Sequence, residues 1–358
     1  MREIRVLIID DAAAERRLIA EALTAVPGLA VVGAAANGRI GMEMIRVVRP
    51  DVVVLDLEMP EMDGFQVLAS LRATDPGLPV VVFSGAPRRR AMATLDALAL
   101  GGVDYVAKPS GGQGGPGAAM RTIVAEMLPR IKALGASATP TASRGDDARH
   151  PARADPATRG LQVVVVGAST GGPDALASLL GAIPGDFPAP ILVVQHMPPH
   201  FIGPLARRLD ARSALSVAEA VDGQVVAPGQ VAIAPGERHL VVRRRGRDVL
   251  AATETGPPEN SCRPAADVLF RSAARQFGPA ALGIVLTGMG QDGLHGSVEI
   301  GQAGGQILAQ DQASSVVWGM PGHVARAGLA DRLLPPDRLG AEIARRARCV
   351  ATTGQPPG

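Results

Sequence analysis

Cysteine is nearly absent. The 358 residues contain two, Cys262 and Cys349, too few for a disulfide framework and without the paired spacing of a metal site. No apolar run reaches the length needed to span a bilayer. The N-terminus passes straight from Met1 into strand-like sequence, leaving no room for a signal peptide. A cytoplasmic protein without membrane insertion is expected. Net charge is small, +2 from 36 basic and 34 acidic residues. The runs Arg88-Arg89-Arg90 and Arg243-Arg244-Arg245 read as solvated surface, so no nucleic-acid partner is expected. Lysine is the scarcest charge: Lys108 and Lys132 are two among 36 basic residues. A lysine that persists against such a bias is a candidate for a task that arginine would serve poorly.

The composition is 47% apolar and 20% charged, ordinary for a globular protein, and the length favours two domains. Residues 1–128 alternate apolar runs at 5–9, 30–34, 52–55, 80–83 and 103–107 with helical patterns at 14–25, 38–48, 64–73, 89–100 and 117–132. Five βα units predict a parallel sheet with helices on both faces and right-handed crossovers. Residues 129–158 contain small, polar, proline-bearing sequence and form the expected linker. A second α/β pattern fills 159–350. Its strands are expected at 162–166, 191–195, 231–234, 240–243, 283–287 and 306–310, with helices near 173–181, 202–210, 264–277, 294–303, 321–327 and 337–347. Short strands around 231–251 predict an antiparallel hairpin added to a parallel sheet. The tail 351–358 is expected to be disordered.

In the first domain the chemistry-bearing residues fall at strand ends. Asp10 and Asp11 follow the first strand, Asp56 the third, Ser84 the fourth, and Lys108-Pro109 the fifth. Ligands of open parallel sheets bind outside the carboxyl ends of the strands. An aspartate at a strand end is often only a helix cap or turn former. Five such positions with the rare lysine among them favour a site. Converging carboxylates suit Mg²⁺, held by Asp10, Asp11 and Asp56. Asp56 could then accept a phosphoryl group, with Lys108 pairing to it and Ser84 bonding a phosphate oxygen.

The second domain opens on Gly167-Ala-Ser169-Thr-Gly171, directly after an apolar, β-branched run and before the helix start at Pro173. This is a G-x-S-x-G strand–turn–helix pattern, which lifts a serine hydroxyl off a sheet edge. A phosphate-binding loop has a similar outline, but no Walker lysine follows and G-x-G-x-x-G is not matched. A nucleophilic serine needs a base and an orienting acid. His196 follows the strand at 191–195, on the same sheet edge. His200 would make a metal pair with it on a helix, but Pro198 and Pro199 intervene and H-E-x-x-H is absent. His295 and His323 remain possible bases; His150 lies in the linker, and His239 reads as structural or surface. Asp292, in Thr-Gly-Met-Gly-Gln-Asp292-Gly, supplies an acid at another strand end, and the glycines around Met289 could expose amides for an oxyanion hole. The chain order Ser, His, Asp is not that of the α/β-hydrolases.

Residues 1–128 resemble the receiver domain of two-component response regulators, a flavodoxin-like (βα)5 fold. The likeness rests on Asp10-Asp11, on Asp56 running into Met-Pro-Glu-Met-Asp-Gly, on Ser84 and on Lys108-Pro109. It implies phosphotransfer from a histidine kinase to Asp56 with Mg²⁺ as cofactor. Gly101-Gly102 departs from the more usual Gly-Ala, and Tyr105 stands where receivers often carry a switching aromatic.

Residues 161–347 resemble the catalytic domain of the chemotaxis protein-glutamate methylesterases (CheB family), a doubly wound, mostly parallel α/β domain. The motifs are Gly-Ala-Ser169-Thr-Gly-Gly-Pro, Val-Gln-His196-Met-Pro, Ile-Ala-Pro-Gly-Glu-Arg-His239-Leu, Arg263-Pro264 with Asp267-Val-Leu-Phe, Leu-Thr-Gly-Met289-Gly-Gln-Asp292-Gly, and Gln310-Asp311 with Gly-Met320-Pro321. The resemblance implies Ser169 as nucleophile, His196 as base and Asp292 as orienting acid. It gives the amides of Thr170 and Met289 to the oxyanion. It also implies hydrolysis of glutamate methyl esters on chemoreceptors, with release of methanol, deamidation of receptor glutamines, and activation by phosphorylation in a monomer. No cofactor is implied for the esterase step. Ala265-Ala266 replaces the more usual Ser-Val, for which a packing effect is expected. Two alternatives remain open to an assay: a phosphorylation-dependent binding module without activity, and an esterase of a chemosensory pathway unrelated to motility.

Overall fold

The computed structural model describes residues 2–85, 91–108, 115–137 and 160–348. Arg88-Arg89-Arg90, Pro109, His150, Cys349, residues 138–158 of the expected linker, and the tail 351–358 lie outside the described residues. The chain divides into two compact units, Met1–Ala142 and Ser143–Gly358.

In the first unit five strands, β1 (Ile4–Ile9), β2 (Leu29–Ala35), β3 (Val52–Leu55), β4 (Val80–Ser84) and β5 (Gly102–Ala107), form one sheet of order β2-β1-β3-β4-β5. All its pairings are parallel. Strand β3 is Val-Val-Val-Leu, buried throughout, as a strand covered on both faces requires. The helices are α1 (Ala13–Thr24), α2 (Gly38–Val48), α3 (Gly64–Thr74), α4 (Ala91–Ala99) and α5 (Gly115–Ser137). Asp63 and Gln66 close a capping box at the start of α3. Gly64 must lack a Cβ there, because one would meet Leu57 Cα at 2.7 Å as well as the Asp56 carbonyl. The boundary expected at 128/129 lies inside α5. That helix runs through Pro129 and buries Ile123, Met127, Ile131 and Leu134, so its apolar face carries it past the proline. Strand order reverses between β1 and β3, the switch point at which flavodoxin-like sheets open their ligand crevice.

The second unit holds a parallel sheet of seven strands: β6 (Val163–Ala168), β7 (Ile191–Gln195), β8 (Ser216–Glu219), β10 (Gln230–Ile233), β13 (Ala281–Val285), β14 (Gln306–Gln310) and β15 (Arg332–Leu334). Their order is β15-β14-β13-β6-β7-β10-β8. The expected antiparallel hairpin is present as β11 (His239–Arg245) and β12 (Asp248–Glu254), turning at Gly246, where φ is 63°. It forms its own sheet with β9 (Gln224–Val225), whereas β10 joins the parallel sheet. The helices are α6 (Gly172–Gly181), α7 (Pro199–Asp210), α8 (Ala266–Phe277), α9 (Leu294–Gln302), α10 (Met320–Arg326) and α11 (Pro336–Arg348). The chain winds from β6 to β7 and the edge strand β8, inserts β10 between those two, then returns to β13 on the other side of β6 and winds away. The switch point therefore lies between β6 and β13. Helix α8 buries Leu269, Phe270, Ala273, Ala274 and Phe277 and packs on β6, β11 and α9. Gly167 makes its close approach possible, since a Cβ there would sit 2.7 Å from the Ala266 methyl.

Candidate active site

The turns after β6, β7 and β13 meet at the switch point. Ser169 follows β6, its amide donating to Thr287 O at 3.0 Å and its carbonyl accepting from Gly172 N at 2.7 Å. Gly171 caps α6 with φ of 76°, a backbone that glycine adopts without strain. His196 follows β7, and its amide donates to Ala168 O at 3.0 Å. Since Ala168 pairs with Gln195, Ser169 and His196 stand one step beyond neighbouring strands, roughly 4.8 Å apart in the sheet direction. The buried Gln195 clamps both: its Nε2 donates to Ser169 O at 2.9 Å and to His196 O at 3.2 Å. Gly288 presses on the same turn, and a Cβ there would lie 2.7 Å from Ser169 Cβ.

His196 turns Nε2 to Asp292 Oδ2 at 2.8 Å. Its Nδ1 looks the other way, 3.7 Å from Cys262 Sγ. Serine proteases use the two nitrogens in the reverse sense, with Nδ1 on the aspartate. Among the described residues no hydrogen bond joins Ser169 Oγ to the ring, a bond that in hydrolases commonly tightens only when substrate is seated. Asp292 is 2% exposed and still charged, because five donors meet it. Ala266 N and His196 reach Oδ2, at 2.6 and 2.8 Å. Asp267 N and Gly293 N, each at 3.0 Å, and Asn260 Nδ2 at 3.2 Å reach Oδ1. Ala266 and Asp267 begin α8, so its N-terminal dipole also faces the carboxylate. Burial alone would raise Asp292, but the His196 contact and these amides hold it below its ordinary value. Burial alone would lower His196; the bond to Asp292, the Cys262 contact and the Asp292 charge hold it above its ordinary value.

Thr170, buried, follows the serine, and Met289 follows Gly288 on the facing turn. His239 is buried and structural: Nδ1 accepts from Ala265 N at 3.2 Å and Nε2 donates to Pro257 O at 2.9 Å. That bond explains how α8 manages with Ala265 as an N-cap lacking a side-chain cap. Ala265 and Ala266 are fully buried, so larger residues there would need space the fold does not provide. His295 is exposed and lies 3.6 Å from Asp267. His323 bonds the carbonyl of Gly319, the residue that caps its own helix α10, at 2.8 Å. Neither is linked to Ser169. The motifs assign no role to Gln195, Asn260, Cys262 or Asp267, all of which contact Ser169, His196 or Asp292.

In the first unit Asp10, Asp11 and Asp56 each offer a carboxylate oxygen within 4.8 Å of the others. That hard-oxygen donor set fits Mg²⁺. Lys108 Nζ donates to Asp56 Oδ2 at 2.7 Å and Asp10 Oδ2 at 2.9 Å, and sits 2.5 Å from Glu15 Oε2, a carboxylate the strand-end pattern did not reveal. Burial, which would lower Lys108, is outweighed by these three partners, and the amine stays above its usual range. Burial raises Asp56 despite the lysine, as expected of a carboxylate that needs a cation beside it. Ser84 is buried; its carbonyl accepts from Lys108 N at 2.9 Å and from the Tyr105 hydroxyl at 3.3 Å. Tyr105 is turned inward, and burial pushes its phenol up to about 12.

Comparison with known proteins finds matches over both units. The CheB methylesterase family model matches residues 164–343, and the response regulator receiver domain model matches 6–114. The chain belongs to the CheB methylesterase family. A protein-glutamate methylesterase/protein-glutamine glutaminase of Trichodesmium erythraeum (strain IMS101) is 46% identical over 351 residues, covering 97% of this chain and 99% of that protein. One of the same name from Nocardioides sp. (strain ATCC BAA-499 / JS614) is 47% identical over 357 residues, covering 97% and 96%. The crystal structure of the Thermotoga maritima CheB methylesterase catalytic domain is 41% identical, with a TM-score of 0.51, and covers 52% of this chain and 99% of that one. The family relationship thus extends over both units, receiver and catalytic. Among the described residues no helix is long and apolar enough to cross a membrane.

Proposed function

We propose that the protein is a phosphorylation-activated serine esterase. It removes methyl groups from glutamate methyl esters on the cytoplasmic helices of chemoreceptors, releasing methanol, and deamidates receptor glutamines by the same acyl chemistry. The observation that carries this reading is the His196–Asp292 pair at the switch point, one sheet position from Ser169 on its glycine turn.

In this mechanism Ser169 Oγ attacks the ester carbonyl while His196 Nδ1, the nitrogen not used by Asp292, takes its proton. The negative charge on the tetrahedral oxygen is received by the Thr170 and Met289 amides, a contribution of about 3–4 kcal/mol per donor in such holes. Asp292 stabilises the imidazolium that forms. Collapse expels methoxide, which leaves as methanol with the proton from His196. Water then attacks the acyl-enzyme with His196 again as base, freeing the glutamate carboxylate and Ser169. With a glutamine substrate the leaving group is ammonia.

Regulation begins at Asp56, whose carboxylate oxygen attacks the phosphorus of a histidine-kinase phosphohistidine and releases the neutral imidazole. Mg²⁺ bound by Asp10, Asp11 and Asp56 would supply the charge neutralisation this transfer needs. Lys108 then pairs with the new phosphoryl group and Ser84 bonds one of its oxygens. The phosphoryl group on Asp56 then raises the esterase activity of the catalytic unit. The protein acts in the cytoplasm as a monomer. The test is methanol release from a methylated receptor by wild type, Ser169→Ala and Asp56→Asn, with and without acetyl phosphate. The reading requires no turnover in the first variant and no stimulation in the second; wild-type behaviour of either variant overturns its part of the scheme.

A further inference from the structure

The loop between β12 and α8 contains a tight hairpin. Glu259 N donates to Cys262 O at 3.1 Å, and Cys262 N donates to Glu259 O at 2.8 Å. The two residues between them, Asn260 and Ser261, have φ of 51° and 62°. Positive φ at both central positions is the type I′ turn, usually built with glycine. Backbone held in sparsely populated regions gathers where a side chain must be aimed. The turn aims Asn260 inward. From an exposed residue its Nδ2 reaches two buried carboxylates, Asp267 Oδ2 at 2.8 Å and Asp292 Oδ1 at 3.2 Å.

Those carboxylates are 1% and 2% exposed and belong to reciprocal helix contacts. The first amides of α8 donate to Asp292, which precedes α9. Asp267, in the first turn of α8, accepts from Gly296 N of α9 at 2.7 Å. The arrangement buckles the two helices together but places two acids side by side. Burial and the nearby Asp292 charge raise Asp267, while Asp292 is held down. A group that donates to both relieves their repulsion and fixes the carboxylate plane of Asp292, and with it the oxygen presented to His196 Nε2. The amide of Asn260 is the side chain that does so.

We propose that Asn260 is a positioning residue of the esterase: its carboxamide bridges Asp267 and Asp292 and holds the triad acid in register with His196. This rests on the esterase reading above. Two substitutions separate it from simple turn formation. Asn260→Gly keeps a residue suited to positive φ and removes the amide. Asn260→Asp is isosteric and also tolerates the left-handed region, but brings a third carboxylate to the pair.

The measurement is kcat and KM on methylated receptor for both variants, beside wild type and Ser169→Ala, together with the downfield His196 Nε2 proton resonance, which reads the Asp292 bond without substrate. Asn260→Gly should lose about ten-fold in kcat with KM within two-fold, Asn260→Asp about a hundred-fold, and the resonance should shift in both. A residue serving only the turn would leave both variants within two-fold of wild type and the resonance unmoved, and that result overturns the proposal. Turnover by Ser169→Ala would instead overturn the esterase reading, leaving the resonance to decide Asn260.

Discussion

Asp292→Asn should cost the enzyme far more than its small change in shape suggests. The Oδ1 side of the carboxylate meets three donors, Asp267 N, Gly293 N and Asn260 Nδ2. The Oδ2 side meets two, Ala266 N and His196 Nε2. A carboxamide has one oxygen, so its NH₂ must oppose one of these sets. The lesser conflict keeps the oxygen on the three-donor side and turns NH₂ toward Ala266 and His196. His196 Nε2 must then accept, and the ring proton moves to Nδ1, the nitrogen that has to take the proton of Ser169. The base is locked in the wrong tautomer and loses the charge that stabilises its cation. Loss of a triad acid in this way costs about 10³–10⁴ in kcat, or about 4–5.5 kcal/mol of barrier. The NH₂ also faces Ala266 N, a donor–donor conflict worth about 1–3 kcal/mol of stability. Methanol release under saturating methylated receptor gives kcat, and denaturant melts give stability. If Asp292→Asn keeps kcat within ten-fold of wild type, the tautomer argument is wrong and the acid lies elsewhere.

Other consequences follow from the same contacts. The base must be neutral to act, and His196 is held above its ordinary value; kcat/KM should therefore climb with pH through an apparent value above about 6.5. A plateau already reached at pH 6 would speak against the Asp292 contact. Gly288→Ala pushes a methyl against Ser169 and Met320, so kcat should fall at least ten-fold and stability by about 1–3 kcal/mol; an unaffected kcat would mean the serine turn has slack. Removing divalent cations with a chelator, or introducing Asp56→Asn, should abolish labelling of the receiver by a radioactive phosphodonor, and persistent label in either case would remove Asp56 or the metal from the scheme. Burial would raise Glu342, but hydrogen bonds from Arg345 and Arg346 outweigh it and depress the carboxyl to about 2. Its contribution is thus complete above the unfolded value of about 4.5 and is lost as pH falls toward 2. Glu342→Gln should lower the stability of the catalytic unit by about 1–3 kcal/mol at pH 7 and flatten its acid denaturation; an identical acid profile would refute this.

The sequence was most legible where the chain repeats a local rule. Buried strands such as Val-Val-Val-Leu of β3 have an apolar signature of their own, and residues after such runs fall at the sheet's carboxyl edge. That logic found Asp10, Asp56, Lys108, Ser169, His196 and Asp292. Strands β8 and β15 escaped it. They are four and three residues long, and Val217 is the one buried side chain among their seven residues, so neither makes an apolar run. Contacts made only by tertiary docking were equally hidden. Asn260 and Asp267 reach Asp292 because α8 packs its N-terminus on α9, across 32 and 25 residues of sequence. Glu15 meets Lys108 across the first unit. Neither distance leaves a periodic trace. The orientation of the His196 ring depends on which partner captures which nitrogen, something no spacing encodes.

The central claim is that Ser169 is an esterase nucleophile under the control of Asp56. Its most direct test is the rate of methanol release from a methylated chemoreceptor by the full-length protein, with and without acetyl phosphate and Mg²⁺, beside Ser169→Ala. The account predicts release by wild type, a higher rate when the phosphodonor is present, and none from the variant. Equal release by Ser169→Ala, or a wild-type rate indifferent to the phosphodonor, would contradict it.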